Sequence, residues 1–483
     1  MKHLVSLAPS LSLLLFAAAC GDNITGSGLT PDAGTADAAP DAPPQPFVKP
    51  TAVAVPLSVA GTDELLGAAA GPNGSFYAVG FRSATHEATS DRELVLVKLT
   101  AAGALDTTFG GGDGIASLNV QVGTNGEVWR SIVVQPDGKI VVLGTVEDEV
   151  NPLDRDAALV RFDATGAVDT TFGTAGTAIV RLDLNTGLVN GTAVFTGADA
   201  PWGLAVTAAG KLYIHAAQRT ELLDNGLPRT DTDFAVVRLN ADGTLDTDFA
   251  TGGKYTLDIL GSSASVRGIN VLADGSVVAN GYASSSATGD TVQPVVFMLD
   301  SAGAPVTTFA EQGLFHDVVM QFFTEVYAIA VQPDGKLVTA GYGRNASGDT
   351  NDYVSIRFTA AGAIDTSWGT GGKFVYDPTG TNVADNNRHV IALPGNRTAL
   401  IGSAGAANAT SDAVVAVLTP SGALDTGFGT GLLSYELGSN DAFWGGAVSA
   451  DGSKAIFVGF KGGGTTPSAT SNDDSHVMIL PMP

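Results

Sequence analysis

The stretch "GALDTTFG", residues 103–110, decides how this chain folds, because it recurs along the sequence. Looser copies occupy 166–173, 243–250, 303–310, 362–369 and 422–429. Each copy places an aromatic residue at the same position: Phe109, Phe172, Phe249, Phe309, Trp368 and Phe428. The copies lie mostly about sixty residues apart, and a fixed period of this size is the signature of a repeat architecture.

A second motif runs in phase with the first. "VQPDGKIVVLG" at 134–144 returns as "VQPDGKLVTAG" at 331–341, and looser copies fill the other periods. Asp-Gly between two apolar runs is typical of a tight hairpin, since glycine accepts the positive φ that the turn requires. We number the repeats 1 to 7 by these hairpins, which lie at 70–80, 134–144, 206–216, 271–281, 331–341, 392–402 and 448–459.

A third signal is a β-rich run before each "LDTTFG" copy, such as "ELVLVKLT" at 93–100, with a seventh run, "HVMILPMP", at the chain end. Each repeat therefore predicts two antiparallel hairpins joined by a long loop. Seven such repeats predict an all-β fold, a seven-bladed β-propeller of four-stranded antiparallel blades. An open solenoid and two stacked sandwiches are the alternatives.

The ends of the repeat region predict how the ring closes. Repeat 7 stops after its third strand, whereas "FVKPTAVAVPLSVAG" at 47–61 precedes repeat 1 and resembles a fourth strand. We therefore predict that the N-terminal strand completes the last blade, with Ala52–Leu57 pairing with His476–Leu480. Such pairing ties the two ends together and removes an exposed sheet edge.

These units resemble the delta-60 repeat, a bacterial β-propeller repeat marked by a "QPDGK" hairpin and a "DGSLDTSFG" turn. The resemblance covers about residues 51–483. It implies a propeller fold and export from the cell, but no defined reaction. Two places depart from the pattern, Pro305-Val306 in the fourth unit and Pro394-Gly395-Asn396 in the sixth. We expect both departures to leave the fold intact.

The N-terminus predicts export. Lys2 and His3 precede an apolar run that ends at Ala19, which is the pattern of a secretory signal peptide over residues 1–19. The following Cys20 is the only cysteine, and "AAAC" at 17–20 resembles a bacterial lipobox, in which the cysteine is acylated. We therefore expect a lipoprotein of the cell envelope, on its periplasmic or surface side. An ordinary signal peptide with an incidental cysteine is the alternative.

Residues 20–50 then read as an acylated cysteine and a disordered tether. Pro, Ala and Asp dominate this segment, and its apolar residues are too sparse to offset the entropy of ordering it. The β-propeller is expected to occupy 51–483. Because Cys20 is the only cysteine, the fold contains no internal disulfide and depends on its core.

The charge balance bears on partners. The formal net charge is −25, from 24 basic and 49 acidic residues. This excess argues against nucleic acid, whose binding depends on Lys and Arg meeting phosphates. It suits an exported protein or one that meets cations. We expect a monomer, attached to the membrane through Cys20, whose partner is an unknown protein or carbohydrate.

The connections between strands predict two different faces. The short repeated turns share one face of the propeller, and long variable loops share the other, where we expect function. These loops lie at 82–92, 145–156, 217–233, 282–293, 342–352, 403–412 and 460–475. They carry many carboxylates: Glu147, Asp148, Glu149, Asp154, Asp156, Asp231, Asp233, Asp473 and Asp474. Calcium binding by these clustered carboxylates is one interpretation. The other is a solvated acidic rim, because the spacing of an EF-hand loop is missing.

The first strand of each repeat is expected to lie innermost in its blade, beside the central channel. One position of this innermost strand predicts a set of side chains at the channel mouth. Aligned across the repeats, it holds Leu66, Arg130, Trp202, Arg267, Tyr327, Arg388 and Trp444, so that arginine and aromatic residues alternate after Leu66. The residue that follows is small in every repeat except at His389. One interpretation is packing between blades, with each guanidinium stacked on an aromatic ring. The other is a ligand site for an anionic or sugar-like group.

No catalytic motif accompanies these residues. The histidines fall at different places in different repeats, and neither metal-ligand spacing nor a G-x-S-x-G elbow occurs. We therefore predict a binding or scaffold module, with no catalytic residues, metal site or cofactor assigned. Two alternatives stay open: an envelope enzyme acting on a sugar or polymer in the channel mouth, and a calcium-stabilised surface adhesin.

Overall fold

The structure is a computed structural model. It describes residues 46–482 apart from 59–60, 86–89, 125, 148–154, 183–187, 190–191, 194–199, 219–230, 260–262, 285–290, 381–382, 406–410, 439 and 463–473. Phe47–Pro483 forms one compact unit. Cys20, the signal peptide and most of the tether lie outside the described residues. Within the described part, no helix is both long and apolar enough to cross a membrane.

The strands follow the repeat scheme. β1 (Ala52–Ala54) precedes repeat 1, which contains β2 (Asp63–Ala70), β3 (Phe76–Ser83), β4 (Arg92–Leu99) and β5 (Ile115–Leu118). Repeat 2 contains β6 (Val128–Val134), β7 (Ile140–Glu147), β8 (Arg155–Phe162) and β9 (Thr177–Val180), followed by a short hairpin of β10 (Leu188–Val189) and β11 (Thr192–Ala193). Repeat 3 contains β12 (Pro201–Val206), β13 (Leu212–Gln218), β14 (Asp233–Leu239) and β15 (Lys254–Leu257).

The second half of the chain continues in the same way. Repeat 4 contains β16 (Ser265–Val271), β17 (Val277–Ser284), β18 (Val292–Leu299) and β19 (Leu314–His316). Repeat 5 contains β20 (Phe323–Val331), β21 (Leu337–Arg344), β22 (Asp352–Phe358) and β23 (Lys373–Tyr376). Repeat 6 contains β24 (Asn386–Leu393), β25 (Arg397–Ala404), β26 (Asp412–Leu418) and β27 (Leu432–Tyr435). Repeat 7 contains β28 (Ala442–Val448), β29 (Lys454–Lys461) and β30 (Asp474–Pro481).

The sheets have the topology of a β-propeller. In repeats 1, 2, 3 and 6, four strands pair in chain order as one antiparallel sheet. Repeats 4 and 5 have the same order and are joined into one eight-stranded sheet by a parallel pair, Val292 with Phe323. Short 3-10 helices occur at Pro72–Gly74, Pro394–Asn396 and Thr426–Phe428, in turns between strands. The described residues therefore form an all-β protein.

The last sheet contains both ends of the repeat region. Its order is β1-β30-β29-β28, with β1 antiparallel to β30. Ala52 lies opposite Met478, Val53 opposite Val477 and Ala54 opposite His476. The predicted pairing of the N-terminal strand with the last strand is thus present, over the shorter span of Ala52–Ala54 with His476–Met478. Because β1 covers the outer edge of β30, the backbone groups of β30 find partners there.

The "LDTTFG" turns are structural hinges, as Asp106 illustrates. Its carboxylate accepts hydrogen bonds from the backbone N–H of Thr108 at 3.1 Å and from the Thr108 hydroxyl at 2.6 Å. These bonds lower the pKa of Asp106 to about 2, and the Lys98 ammonium adds to the effect. Phe109 follows and is fully buried. The motif is therefore a turn whose aromatic residue fills the core.

Each hinge also holds the next repeat. The backbone N–H of Gly110 donates to the carbonyl of Thr165 at 2.9 Å, and Gly173 repeats this bond with Asp242 at 2.8 Å. The buried aromatic ring lies against the glycine of the neighbouring hinge, as Phe172 lies against Gly243. Equivalent bonds run from Ala250 to Ala302, from Ala310 to Ala361 and from Gly369 to Ser421.

Partly buried ion pairs connect the two repeated turns within a repeat. Asp169 of the hinge lies 3.0 Å from Lys139 of the "PDGK" hairpin and 2.8 Å from Arg161 of β8. The same three-residue arrangement recurs in repeat 3 and in repeat 5, as Lys211–Asp246–Arg238 and Lys336–Asp365–Arg357. These groups explain why lysine, aspartate and arginine recur at fixed places in the sequence.

Candidate functional site

Each residue of the predicted alternating set occupies a β-bulge. The register between the innermost strand and its neighbour shifts between Leu65 and Gly67, and between Trp129 and Ser131, so the residue in between is extra. The same shift brackets the set in all other repeats. A bulge re-aims one side chain and is common near functional sites. Here it aims the set toward the channel mouth, near the start of each innermost strand.

The small residues after the bulge allow the innermost strands to approach one another closely. A Cβ added at Gly67 would lie 2.5 Å from the Arg130 carbonyl oxygen, and one at Gly445 would lie 2.7 Å from that of Leu66. Gly203 is similarly close to the Arg267 carbonyl, at 2.9 Å. Crowding around the channel axis therefore fixes the backbone that carries the bulged residues.

The side chains form one continuous stack. The guanidinium carbon of Arg130 lies 4.4 Å from the ring centroid of Trp202, and that of Arg267 lies 4.2 Å from it. Tyr327 in turn lies between Arg267 at 4.3 Å and Arg388 at 4.4 Å. Trp444 continues the series, 5.4 Å from Arg388. The structure thus brings all six predicted residues together.

This stacking limits which surfaces of the aromatic rings and guanidiniums a ligand can contact. Two guanidiniums share each of Trp202 and Tyr327, and because like charges repel, we expect them on opposite faces of the ring. Each such contact contributes on the order of 0.5–2 kcal/mol. The ring faces are then occupied by arginine, and the outward edges of the guanidiniums are what the stack offers to a ligand. Guanidinium edges carry N–H forks suited to oxyanions.

A cavity of about 540 Å³ occupies the channel. Leu66, Arg130, Trp202, Tyr327 and Arg388 are among its walls, with backbone and small side chains of the innermost strands around them. A second cavity of about 480 Å³, here called the loop-face cavity, lies at the starts of strands from repeats 1 to 4. Arg130 and Trp202 line both cavities, so they stand at the boundary between the channel and the loop face.

A tyrosine cluster anchors one half of the stack. The hydroxyl of Tyr327 donates to the Glu325 carboxylate at 2.9 Å and lies 2.9 Å from the Tyr342 hydroxyl. Arg267 donates to the Tyr282 hydroxyl at 2.7 Å. Burial raises the pKa of both Tyr282 and Tyr342, so their hydroxyls stay protonated. Glu325 therefore supplies the negative charge for this half.

Two histidines border the stack. His215 is fully buried, and its Nδ1 lies 3.1 Å from the carbonyl oxygens of both Arg267 and Gly268, so this nitrogen carries the proton. Burial lowers the pKa of His215 to about 4. His389 lines the channel cavity beside Arg388, and burial lowers its pKa to about 4 as well. Both imidazoles are neutral at neutral pH.

Buried carboxylates lie three residues before the bulge in several repeats, a regularity not noticed in the sequence. They are Asp63, Glu127, Asp385 and Asp441, and each is fully buried. Asp441 accepts from the backbone N–H of Gly438 at 2.8 Å, and Asp385 from that of Gly405 at 3.0 Å. Burial raises the pKa of Glu127 and of Asp385 to about 7. Their recurrence three residues before the bulged position is the sequence signal that identifies them.

The acidic loop residues divide into two groups. Glu147, Asp156 and Asp474 form ion pairs with Arg155, Arg181 and Lys461 respectively. Asp231 and Asp233 come together with Asp258, whose carboxylate oxygens lie within 4.8 Å of theirs. Asp148, Glu149, Asp154 and Asp473 lie outside the described residues.

Comparisons with solved structures give distant likenesses only. No curated protein sequence matches the chain. A polysaccharide lyase, Uly1, shares 11% identity over 93% of this chain and 94% of its own, with a TM-score of 0.47. A catalytically inactive virginiamycin B lyase from Staphylococcus aureus shares 11% identity over 90% of this chain and 99% of its own, with a TM-score of 0.46. Likeness at this level carries no argument about activity.

A family model gives the more specific result. Residues 135–172, 229–249 and 332–367 match a family described as "Domain of unknown function (DUF5122) beta-propeller". These segments contain the "PDGK" hairpins of repeats 2 and 5 and three of the hinges. The match supports a β-propeller repeat family for this chain.

Proposed function

We propose that this protein is a binding module of the bacterial cell envelope, whose guanidinium stack binds an anionic or sugar-like ligand at the channel mouth. The observation that carries the proposal is the stack itself. Three arginines are stacked in one row against aromatic rings, at the opening of a cavity, in a chain of net charge −25. Concentrating positive charge there, against the overall charge, serves recognition of an anion.

The proposal includes a closed ring of seven blades. Its support is that consecutive hinges bond from repeat 1 through repeat 6, and that further contacts involve repeat 7. Phe428 of repeat 6 lies 5.8 Å from Phe47, which precedes β1. Lys454 of repeat 7 donates to the carbonyl of Ala101 in repeat 1 at 2.8 Å. A closed ring gives the channel mouth a rigid frame.

The proposal also includes a lipid anchor at Cys20. The tether that follows would hold the propeller away from the membrane, with its partner at the loop face. Palmitate labelling of cells that express the chain tests this part. We expect label on the wild-type protein and none on Cys20→Ser. Equal labelling of both would contradict the anchor.

Catalysis is the weaker reading of the same site. Among the described residues, those that line the two cavities contribute guanidinium, indole, phenol and imidazole groups, and no carboxylate. Sugar cleavage by hydrolysis commonly uses a pair of carboxylates across the scissile bond. We therefore favour binding over an envelope enzyme.

A calcium-stabilised adhesin has one observation in its favour, the Asp231, Asp233 and Asp258 cluster. Calcium would be held by carboxylate oxygens there. A melting temperature that responds to calcium, and reverts with chelator, would support this second function. An unchanged melting temperature would remove it.

Binding of an acidic sugar tests the main proposal. The chain from residue 20, carrying Cys20→Ser so that it is purified without lipid, is titrated with glucuronate, and with glucose as the neutral control. We expect glucuronate to bind the parent chain and to lose binding when Arg130 and Arg267 are both replaced by Met. Loss of folding stability in that variant with unchanged binding would instead show that the stack only packs the blades together.

A further inference from the structure

Arg130 differs from the other two guanidiniums of the stack. Arg267 donates to the Val266 carbonyl and to the Tyr282 hydroxyl, both at 2.7 Å, and Arg388 is tied to the tyrosine cluster. Arg130 makes no hydrogen bond or ion pair with the described residues, and its Nε is buried without a partner. Among the described residues, the aromatic ring that its guanidinium contacts is that of Trp202.

The Arg130 side chain is partly buried, and its charge has little compensation beyond the nearby charge of Glu64. Burial, together with the charges of Arg267 and Arg92 and against that of Glu64, lowers the pKa of Arg130 to about 10. The group stays protonated at neutral pH. Burying a charge without a paired anion is costly, so this position gains most from a bound oxyanion.

The loop-face cavity supplies the space for such an anion. Four arginines line it, namely Arg92, Arg130, Arg155 and Arg267, and none of its described lining residues is acidic. Arg155 is engaged with Glu147 at 2.6 Å, and Arg92 lies 4.3 Å over the Phe81 ring. The positive charges that act on Arg130 therefore come from Arg92 of repeat 1 and Arg267 of repeat 4.

We propose that the loop-face cavity is an oxyanion subsite, in which the Arg130 fork binds the carboxylate or sulfate group of a small ligand. Arg92 and Arg267 add long-range attraction, and Trp202 holds the Arg130 plane in position. The proposal deepens the proposed function and rests on it. It assigns the anionic end of the ligand to the boundary between repeats 1 to 4, not to the stack as a whole.

The size of the cavity restricts the ligand. Its volume of about 480 Å³ lies in the lower part of the range of small-molecule sites, which is about 300–1,000 Å³. The lining residues at the starts of the innermost strands are small and fill little of this space; they are Gly126, Ala200, Ala264 and Ser265. The subsite therefore suits a single compact ligand head, such as an acidic monosaccharide.

Sulfate is the probe that isolates this subsite. The lipid-free chain is titrated with sodium sulfate, with sodium chloride at equal ionic strength as the control for screening, and the melting temperature is followed. We expect sulfate to stabilise the parent chain beyond chloride. Arg130→Met should weaken sulfate binding at least tenfold, since hydrogen bonds to charged groups are worth more than a factor of ten.

Arg344→Met is the matched control, because Arg344 also lies over aromatic rings, those of Phe322 and Phe323, but lines neither cavity. We expect it to leave sulfate affinity within about threefold of the parent. Arg130→Lys keeps the charge but not the fork, and should bind sulfate with intermediate affinity if Arg130→Met proves unstable. An equal loss in Arg344→Met would overturn the subsite. An equal loss in Arg388→Met, at the far end of the stack, would also overturn it while leaving anion binding by the stack intact. Absence of any sulfate or glucuronate effect would overturn both proposals.

Discussion

At the scale of single residues, the molecule uses carboxylates in two opposite ways. On the hinge face, Asp169 lies between Lys139 and Arg161, and its hydrogen bonds with Thr171, together with Lys139 and Arg161, hold its pKa well below the usual range. Behind the channel mouth, Glu127 is fully buried, and burial raises its pKa. The first kind stabilises the fold above acidic pH, and the second kind opposes it as pH rises.

Glu127 predicts a measurable pH dependence. Its pKa of about 7 in the folded protein exceeds the ordinary value of 4.5, so the folded state binds more protons than the unfolded state between these values. Its contribution to stability is therefore greatest below about pH 4.5 and falls as pH rises toward 7. Relative to Glu127→Gln, the parent chain should lose about 1–3 kcal/mol of unfolding free energy between about pH 5 and pH 8.

Urea unfolding at the two pH values measures this difference. Glu311→Gln, at an exposed position, removes the same charge without the burial and serves as the control. A difference between parent and Glu127→Gln that is the same at both pH values would show that Glu127 does not titrate in this range.

At the scale of elements, the hinges and the bulges have different roles. On the hinge face, backbone hydrogen bonds like that of Gly110, together with buried aromatic rings, link each repeat to the next. The bulges direct the channel residues toward the opposite face. Stability and recognition are thus placed at different ends of the same strands. Loops on a rigid scaffold are the usual place for recognition.

Gly243 tests the contact between hinges. Its φ is +86°, and an added Cβ would lie 2.8 Å from the buried ring of Phe172. Gly252, in the same repeat, has a φ of +61° with open space around it. Gly243→Ala should therefore cost about 1–3 kcal/mol more than Gly252→Ala, which bears only the backbone strain. Thermal unfolding of both variants measures the difference. Equal losses of stability would mean that the Phe172 ring moves to accommodate the added Cβ without destabilising the fold.

The sequence predicts the turns well because their chemistry is local. Asp-Gly and "LDTTFG" specify their own backbone, and their period determines which strands pair, including β1 with β30. The bulges are different, because a register shift depends on two strands and leaves no local residue signature. The alternating residues at Arg130 and Trp202 could be aligned, but their mutual stacking could not be predicted from spacing.

The loop-face arginines show a second limit of sequence reasoning. Arg92 and Arg155 begin third strands, so an alignment of innermost strands does not include them. Only the arrangement of β4 and β8 around the channel mouth brings them to the same cavity as Arg130. A site assembled from several repeats is therefore visible in the structure and hidden in the sequence.

At the scale of the whole molecule, the proposed ring closure depends on β1. Ala54 lies opposite His476 across the β1–β30 pair, at the spacing of neighbouring strands. Ala54→Cys with His476→Cys in the lipid-free chain should form an intramolecular disulfide under mild oxidation, seen as a shift in electrophoretic mobility. Ala54→Cys with Val375→Cys, on β23 of repeat 5, is the control and should not. Disulfides only between molecules would contradict closure.

The central claim is that the channel mouth binds an oxyanion at Arg130. Anomalous diffraction from crystals of the lipid-free chain grown with selenate, which has the shape of sulfate, tests it most directly. The account predicts a selenium peak in the loop-face cavity, within hydrogen-bond distance of the Arg130 guanidinium, and no such peak in Arg130→Met crystals. Selenate bound at surface cations with the cavity empty, or a cavity peak that persists in Arg130→Met, would contradict it.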